Sequence, residues 1–498
     1  MKHLSIPLLV SFLALPTELV GAIRLDVHGR RARHPLQRRG SVTGSSGLTD
    51  SNNIQYYVNL TLGGQDFEVE IDTGSADLYV AGSVTNSKDT GKSAGVTYAV
   101  GAVNGEIRTT TMDFLGYTVE DQAYLQIAAN SNNQTSGTGL IGLGPHTGSN
   151  IQSTLGNGTG NPPLDRIFHQ NTSTPNYLTV LLGRADDKFD DVPGNITIGE
   201  VLPGYGNITS QPKLNVTELK LTESSAQHWQ TLLDADGIIG PDGSVVDVTT
   251  GVSTTSNDKQ LTVVFDTGYS LPQVPSDVAK AFYENVPGAQ YIDDVSSLAG
   301  PAWQIPCDYE INVTFKFGGN SYPINPLDTS LSLGATDSDG KALCYGGFQP
   351  INVAKSDLYD IIFGMAFLRN VYMLIDYGDF ADNATTRADP YIQLLSVSND
   401  STALHSDFVA IRGSASWNPT SESTSTWVKD HLKLIIPLSI AGALLLIGLA
   451  LAAVGMCRRR RATRYQPLSD PAPQEAHDLH LMRTDGAPTY GNPWDARY

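Results

Sequence analysis

The sequence predicts a mostly β protein built of two related β-rich lobes, followed by one transmembrane helix near the C-terminus. Three observations predict it. Strand-like alternation dominates the middle of the chain. An Asp-Thr-Gly turn ends an apolar strand twice, at Asp72 and at Asp266, 194 residues apart. One uncharged apolar stretch of 23 residues, Leu434–Met456, comes late.

In chain order, the 498 residues begin with Lys2, an apolar run from Leu4 to Leu15, and the small residues Gly21 and Ala22 at cleavage spacing with Val20. Residues 1–22 therefore read as a secretory signal peptide, too short to span a bilayer. Residues 23–39 hold six Arg against one Asp and end in Arg38-Arg39. They read as a basic pro-segment, cut after the Arg pair by a kexin-like processing protease. From Gly40 to Lys433 there are 18 Lys and Arg against 44 Asp and Glu, a net charge of −26. So acidic a body repels nucleic acid and anionic membrane surfaces, which excludes them as partners.

The body divides into an N-terminal lobe, 40–215, and a C-terminal lobe, 216–397. "YVNLTLGGQDFEVEID" alternates with period two, turns at Gly63-Gly64 and alternates again through Phe67, Val69 and Ile71, a two-residue hairpin leading into Asp72. "INVTFKFGGNSYPI" repeats the device around Gly318-Gly319. Helical patterns are few: "PPLDRIFHQ" (162–170) and "SDVAKAFYENV" (276–286), the second with Ser276 as N-cap.

Residues 398–433 are rich in Ser and Thr and read as a flexible stalk. Leu434–Met456 is long enough to cross a hydrocarbon core at 1.5 Å per residue. Arg458–Arg461 follow it, which puts residues 457–498 in the cytosol as a polar tail. Sequons at Asn59, Asn133, Asn157, Asn171, Asn195, Asn207, Asn215, Asn312, Asn383 and Asn399 all precede the span. That one-sided distribution fits a lumenal or extracellular body. In the tail, "YQPL" (Tyr465–Leu468) has the pattern read by sorting adaptors, so the expected location is a plasma, vacuolar or endosomal membrane, with a monomeric body outside the cytosol. Of three cysteines, Cys457 falls at the cytosolic edge, and a disulfide between Cys307 and Cys344 is the economical reading of the other two. It would add on the order of 3–4 kcal/mol. No Cys/His spacing suggests zinc, and HExxH, GxSxG and phosphate-loop motifs are missing, so no metal or cofactor is expected.

The paired acids carry the chemistry. "VEIDTGSADLYV" and "VVFDTGYS" set Asp72 and Asp266 in one context: an apolar strand, Asp-Thr-Gly, then Ser75 or Tyr269. Each has a later apolar-apolar-Gly partner, Leu140-Ile141-Gly142 in "GLIGLG" and Ile362-Phe363-Gly364 in "DIIFGM". With these motifs the chain resembles the pepsin-like aspartic peptidases, particularly fungal secreted and membrane-attached acid proteases, over roughly residues 54–397. The resemblance implies a bilobal pepsin-like fold with the active-site cleft between the lobes. It implies an aspartic endopeptidase that cleaves protein or peptide substrates, with Asp72 and Asp266 as catalytic dyad. Two adjacent carboxyls cannot both ionise readily, so they share a proton and supply acid and base together; pepsin is the worked example of that principle. Thr73 and Thr267 would tie the turns together. Gly74, Gly268, Ser75 and Tyr269 would line the substrate site, with Tyr98 of "VTYAVGAVNG" closing from a flap. "HWQ" (228–230) resembles the strand entering the second lobe, and Cys307–Cys344 matches the family's C-terminal-lobe disulfide.

Three residues depart from the family pattern. Tyr79 replaces the Trp of "DLWV", Ala99 replaces the Gly after the flap tyrosine, and Tyr269 replaces a Thr or Ser whose hydroxyl bonds the neighbouring Asp. Tyr269 is the one feature that favours the alternative function, a pepsin-fold surface protein that binds peptides or glycans without cutting them.

Overall fold

Apolar residues on alternate positions make strand Gln55–Leu62 pair with Gln65–Asp72, Leu62 lying opposite Gln65. The turn between them needs two left-handed residues, and Gly63 (φ 59°) and Gly64 (φ 85°) supply them. A Cβ on Gly63 would also meet the Thr85 carbonyl oxygen at 2.0 Å. The second Gly-Gly turn closes Phe317 onto Asn320 in the same way. These elements belong to a computed structural model that describes residues 46–413, apart from 48, 52–54, 99–100, 130–133, 157, 171–174, 185–193, 296–297, 299, 352–356 and 379–387. The expected signal peptide, pro-segment, transmembrane span and tail lie outside the described residues, as do Ala99, Asn133, Asn157, Asn171 and Asn383. Among the described residues no helix is long and apolar enough to cross a membrane.

Each lobe is built around one three-strand crossing. In the first, Gln65–Asp72 runs parallel to Thr138–Gly142, which pairs antiparallel with Leu78–Ala81 inside an eight-stranded sheet. In the second, Thr262–Phe265 runs parallel to Ile361–Phe363, and Gln273–Val274 lies antiparallel to that strand in a five-stranded sheet. Both apolar-apolar-Gly segments thus lie beside the strand that carries the aspartate turn.

A six-stranded sheet underlies both lobes. Tyr177–Leu181 of the first half pairs with Val371–Asp376 of the second, from Tyr177 opposite Asp376 to Leu181 opposite Tyr372. The core runs across the boundary expected at 215/216 as one apolar cluster. Trp229 and Tyr377, rings 4.7 Å apart, both donate to the Leu143 carbonyl, at 2.9 and 2.6 Å. Buried Asp328 binds Arg369 at 2.7 Å, Asn370 at 2.9 Å, and Arg184 from the first half. A disulfide joins Cys307 to Cys344, whose Cα atoms are 4.9 Å apart.

Four expectations need correction. Helix Ser276–Tyr283 is shorter than 276–286, and its N-cap is Pro275, because the extended conformation of that proline (φ −50°, ψ 141°) makes the entry and leaves Ser276 inside the helix. Asn195 is only 5 % exposed within strand Asn195–Ile198, so a glycan there is incompatible with the fold, whereas Asn59, Asn207, Asn215, Asn312 and Asn399 are exposed. The expected stalk opens with a helix, Ser401–Arg412. The second lobe accordingly extends past residue 397.

That helix forms because Asp400 caps it, accepting from the Thr402 and Ala403 amides at 3.0 and 3.1 Å. It docks because Leu404, Phe408 and Ile411 share one face, with Phe408 fully buried. His405 meets buried Glu310 at 2.6 Å, and Arg412 donates to the Ser330 carbonyl at 3.1 Å. Phe408→Ala should cost about 3 kcal/mol, read as a lower denaturation midpoint of the full-length protein; an unchanged midpoint would show that the helix contributes nothing to the fold.

Candidate active site

Strand ends position both acids. Asp72 is the last residue of Gln65–Asp72, and Asp266 follows Thr262–Phe265 directly. The two turns grip each other. The Thr73 hydroxyl accepts from the Thr267 amide at 3.0 Å and donates to the Phe265 carbonyl at 2.9 Å. The Thr267 hydroxyl accepts from the Thr73 amide at 3.0 Å and donates to the Ile71 carbonyl at 2.9 Å. Both threonines are fully buried, so all four bonds are shielded from water.

The grip forces each glycine against the opposite acid. A Cβ on Gly74 would lie 2.2 Å from Asp266 Oδ2, and one on Gly268 would lie 2.6 Å from Asp72 Oδ1. Only glycine fits either place. The acids are close enough to hydrogen-bond to each other.

Their surroundings differ. Asp72 accepts from the Gly74 amide at 2.8 Å and from the Ser75 hydroxyl. Ser75 thereby supports the acid. Asp266 accepts from the Gly268 amide at 2.8 Å, but the position matching Ser75 holds Tyr269, whose hydroxyl makes no hydrogen bond to it among the described residues. Burial, then the Asp72 charge, pushes the Asp266 carboxyl well above the usual carboxylate range. Burial and the charge of Asp266 also push the Tyr269 hydroxyl up to about 12. Tyr359 feels the same charge and packs edge-on to His228, ring centres 5.9 Å apart, where burial lowers the histidine's pKa.

Tyr98 lies over the first lobe's side of the pair, its ring 6.2 Å from that of Tyr79. Its hydroxyl is buried beside Ser75 without a well-formed hydrogen bond. Tyr79 is a core residue, 4 % exposed, and gives Tyr98 an aromatic contact.

The sequence reading missed one acid. Glu70, 8 % exposed, is pushed up to about 8 by burial first and the charge of Asp72 second. The signal was present: Phe67, Val69 and Ile71 face the core, so Glu68, Glu70 and Asp72 share the other face.

Two β lobes sharing a core, with two aspartates locked carboxyl to carboxyl at the ends of matching strands, define a scaffold for acid–base hydrolysis. The chain belongs to the eukaryotic aspartyl protease family, whose model matches residues 55–383, and it is an aspartic-type endopeptidase. It is 28 % identical over 375 residues to major aspartyl peptidase 1 of Cryptococcus neoformans var. grubii, covering 70 % of this chain and 72 % of that one. It is 24 % identical over 354 residues to a putative aspergillopepsin A-like aspartic endopeptidase of Arthroderma otae, covering 66 % and 74 %. It is 24 % identical over 351 residues to penicillopepsin-2 of Penicillium janthinellum, covering 66 % and 77 %.

Two predictions follow from the buried acids. Tyr269→Thr should restore a hydroxyl donor to ionised Asp266, lower the pair's upper pKa, and move the basic limb of the pH–rate profile to lower pH. A limb that stays or moves upward contradicts this. Folded Glu70 and Asp266 also keep protons that the unfolded chain releases near pH 4. The Glu70 contribution to stability is therefore full below about pH 4 and is lost as pH rises toward 8, and that of Asp266 falls away in the same direction. The melting temperature should fall across that window, and Glu70→Gln should flatten the slope.

Proposed function

We propose that this chain is a membrane-tethered acid endopeptidase in which Asp72 and Asp266 activate a water molecule between them. The observation that carries the reading is the reciprocal threonine grip, which holds two carboxyls together in unequal surroundings. Asp72, with the Gly74 and Ser75 donors, suits the ionised role. Asp266, buried beside it, suits the protonated one.

Asp72 takes a proton from the water as its oxygen attacks the scissile carbonyl carbon. Asp266 gives its proton to the carbonyl oxygen. The resulting gem-diol collapses as the departing amine takes the proton held on Asp72, one gem-diol hydroxyl returns its proton to Asp266, and the C–N bond breaks. No covalent intermediate with the enzyme is needed. Tyr98 would close over the bound peptide, and Gly74 and Gly268 would let its backbone approach.

The tether rests on Leu434–Met456, on the sequons before it, and on Arg458–Arg461 after it. The basic segment 23–39 beside a −26 body supports a zymogen, held by charge near neutral pH and released as carboxylates protonate. The full-length protein should cleave peptides at acid pH and be blocked by a statine-type inhibitor. Asp72→Asn should lower kcat by on the order of 10²–10⁴-fold. Deleting 434–456 should release the activity from carbonate-washed membranes. Peptide binding that persists without cleavage, and is insensitive to Asp72→Asn, would favour the non-catalytic alternative.

A further inference from the structure

Peptide hydrolysis by the acid pair needs one carboxyl ionised, and protonation of Asp72 in strong acid leaves the pair without a base. A positive charge beside the pair would delay that loss. Among the described residues no lysine or arginine ion-pairs with Asp72 or Asp266. The sheet brings a histidine there instead. Strand Gln230–Leu232 pairs antiparallel with Thr262–Phe265, Gln230 lying opposite Val264, and the Phe265 amide donates to the Trp229 carbonyl at 2.9 Å. One further step of that register sets His228 opposite Asp266, where facing Cβ atoms lie about 5 Å apart. Side chains of such a pair project to the same face, here the one that bears the catalytic carboxyl.

The ring is held in one orientation. A carbonyl only accepts, so His228 Nδ1 carries a proton and donates it to the Ala226 carbonyl at 2.7 Å. Tyr359 packs edge-on against the ring, centres 5.9 Å apart. Nε2 makes no hydrogen bond among the described residues, and the side chain is half-buried, so acid adds its second proton at Nε2. The titratable groups that face the ring are Asp72 from the first lobe, Asp266 across the ladder, and Tyr359 from the segment before Ile361–Phe363. None of them is a cation.

Resting on the peptidase reading above, we propose that His228 is a positioning residue for the acid pair: protonated in acid, it sets a positive charge beside Asp72, keeps that carboxyl ionised, and extends cleavage to lower pH. It acts through Asp72 and not on the substrate. Burial delays charging of the ring to lower pH than an exposed histidine shows, while the Ala226 bond and the charge of Asp72 favour it. The attraction is mutual, so the imidazolium and the Asp72 carboxylate stabilise each other. The ring is therefore neutral at the basic end of the profile, where loss of the Asp266 proton governs, and charged at the acid end.

The test is the pH–rate profile of the full-length protein on one fluorogenic peptide without ionisable groups. At the acid pH where the wild type keeps half its maximal kcat/KM, His228→Gln should keep on the order of a tenth of its own maximum. Its basic limb should stay in place. His228→Lys, which returns a cation, should recover part of the acid limb. The gap between wild type and His228→Gln should narrow in about 0.5 M salt, because salt screens the coupling. Should His228→Gln fail to fold, His228→Phe keeps a ring against Tyr359 and removes the charge. An acid limb that stays put in the uncharged variants, one that moves equally in His228→Lys, or a loss equal at every pH overturns the assignment and leaves the peptidase reading intact. A wild-type protein that cuts no peptide at any pH overturns that reading as well.

Discussion

The hydrogen-bonded exchange between Thr73 and Thr267 is the constraint from which the rest of the site follows. Each hydroxyl accepts from the other turn's amide and donates to the carbonyl before the other turn's aspartate. Neither turn can rotate alone without stranding buried backbone groups, and a stranded group costs more than an exchanged bond contributes. The pair of acids is thus held in place by neutral groups behind it. This arrangement separates two tasks: the threonines determine where the carboxyls sit, and the surrounding donors determine which one ionises. The asymmetry between Ser75 and Tyr269 acts only on the second task.

Burial of acid runs through the whole first lobe. Glu70 and Asp77 join the dyad as interior carboxyls, and burial raises both. Asp77 is satisfied structurally, since it accepts from Ser149 and from the amides of Asn150 and Ile151 at the start of helix Asn150–Leu155. Among the described residues, Glu70 has Gln55 alone as side-chain donor. The contrast separates a carboxyl used to anchor a helix from one held by a single side-chain donor. A protein with this interior is better matched to acid than to neutral solution, independently of its surface charge.

Much of this was legible in the chain because it is local. Two Asp-Thr-Gly turns after apolar strands, two Gly-Gly hairpins and a lone pair of body cysteines each state their geometry within a few residues. What stayed hidden depends on distant partners. The pairing of Tyr177–Leu181 with Val371–Asp376 leaves no mark in either segment alone, so the lobe boundary looked cleaner than it is. Helix Ser401–Arg412 was masked by its Ser- and Asn-rich surroundings, although the Asp400 cap and the Leu404–Phe408–Ile411 spacing were there to read. Alternation gave the face on which Glu70 lies, but that no cation among the described residues pairs with it needed the neighbouring strands. Asn195 matched a sequon because three residues cannot report that the asparagine sits in a buried strand.

The sheet shared by the two lobes also orders events during synthesis. Strand Tyr177–Leu181 has Asn195–Ile198 available on one side soon after it is made, but its other edge belongs to Val371–Asp376. Nearly two hundred residues must be translated before that partner exists, which at ordinary elongation rates is on the order of 10–40 s. Throughout that interval the nascent first lobe presents an open β edge beside apolar Leu178 and Val180, both buried in the finished fold. The most aggregation-exposed stage of this protein therefore comes before the second aspartate turn has met the first.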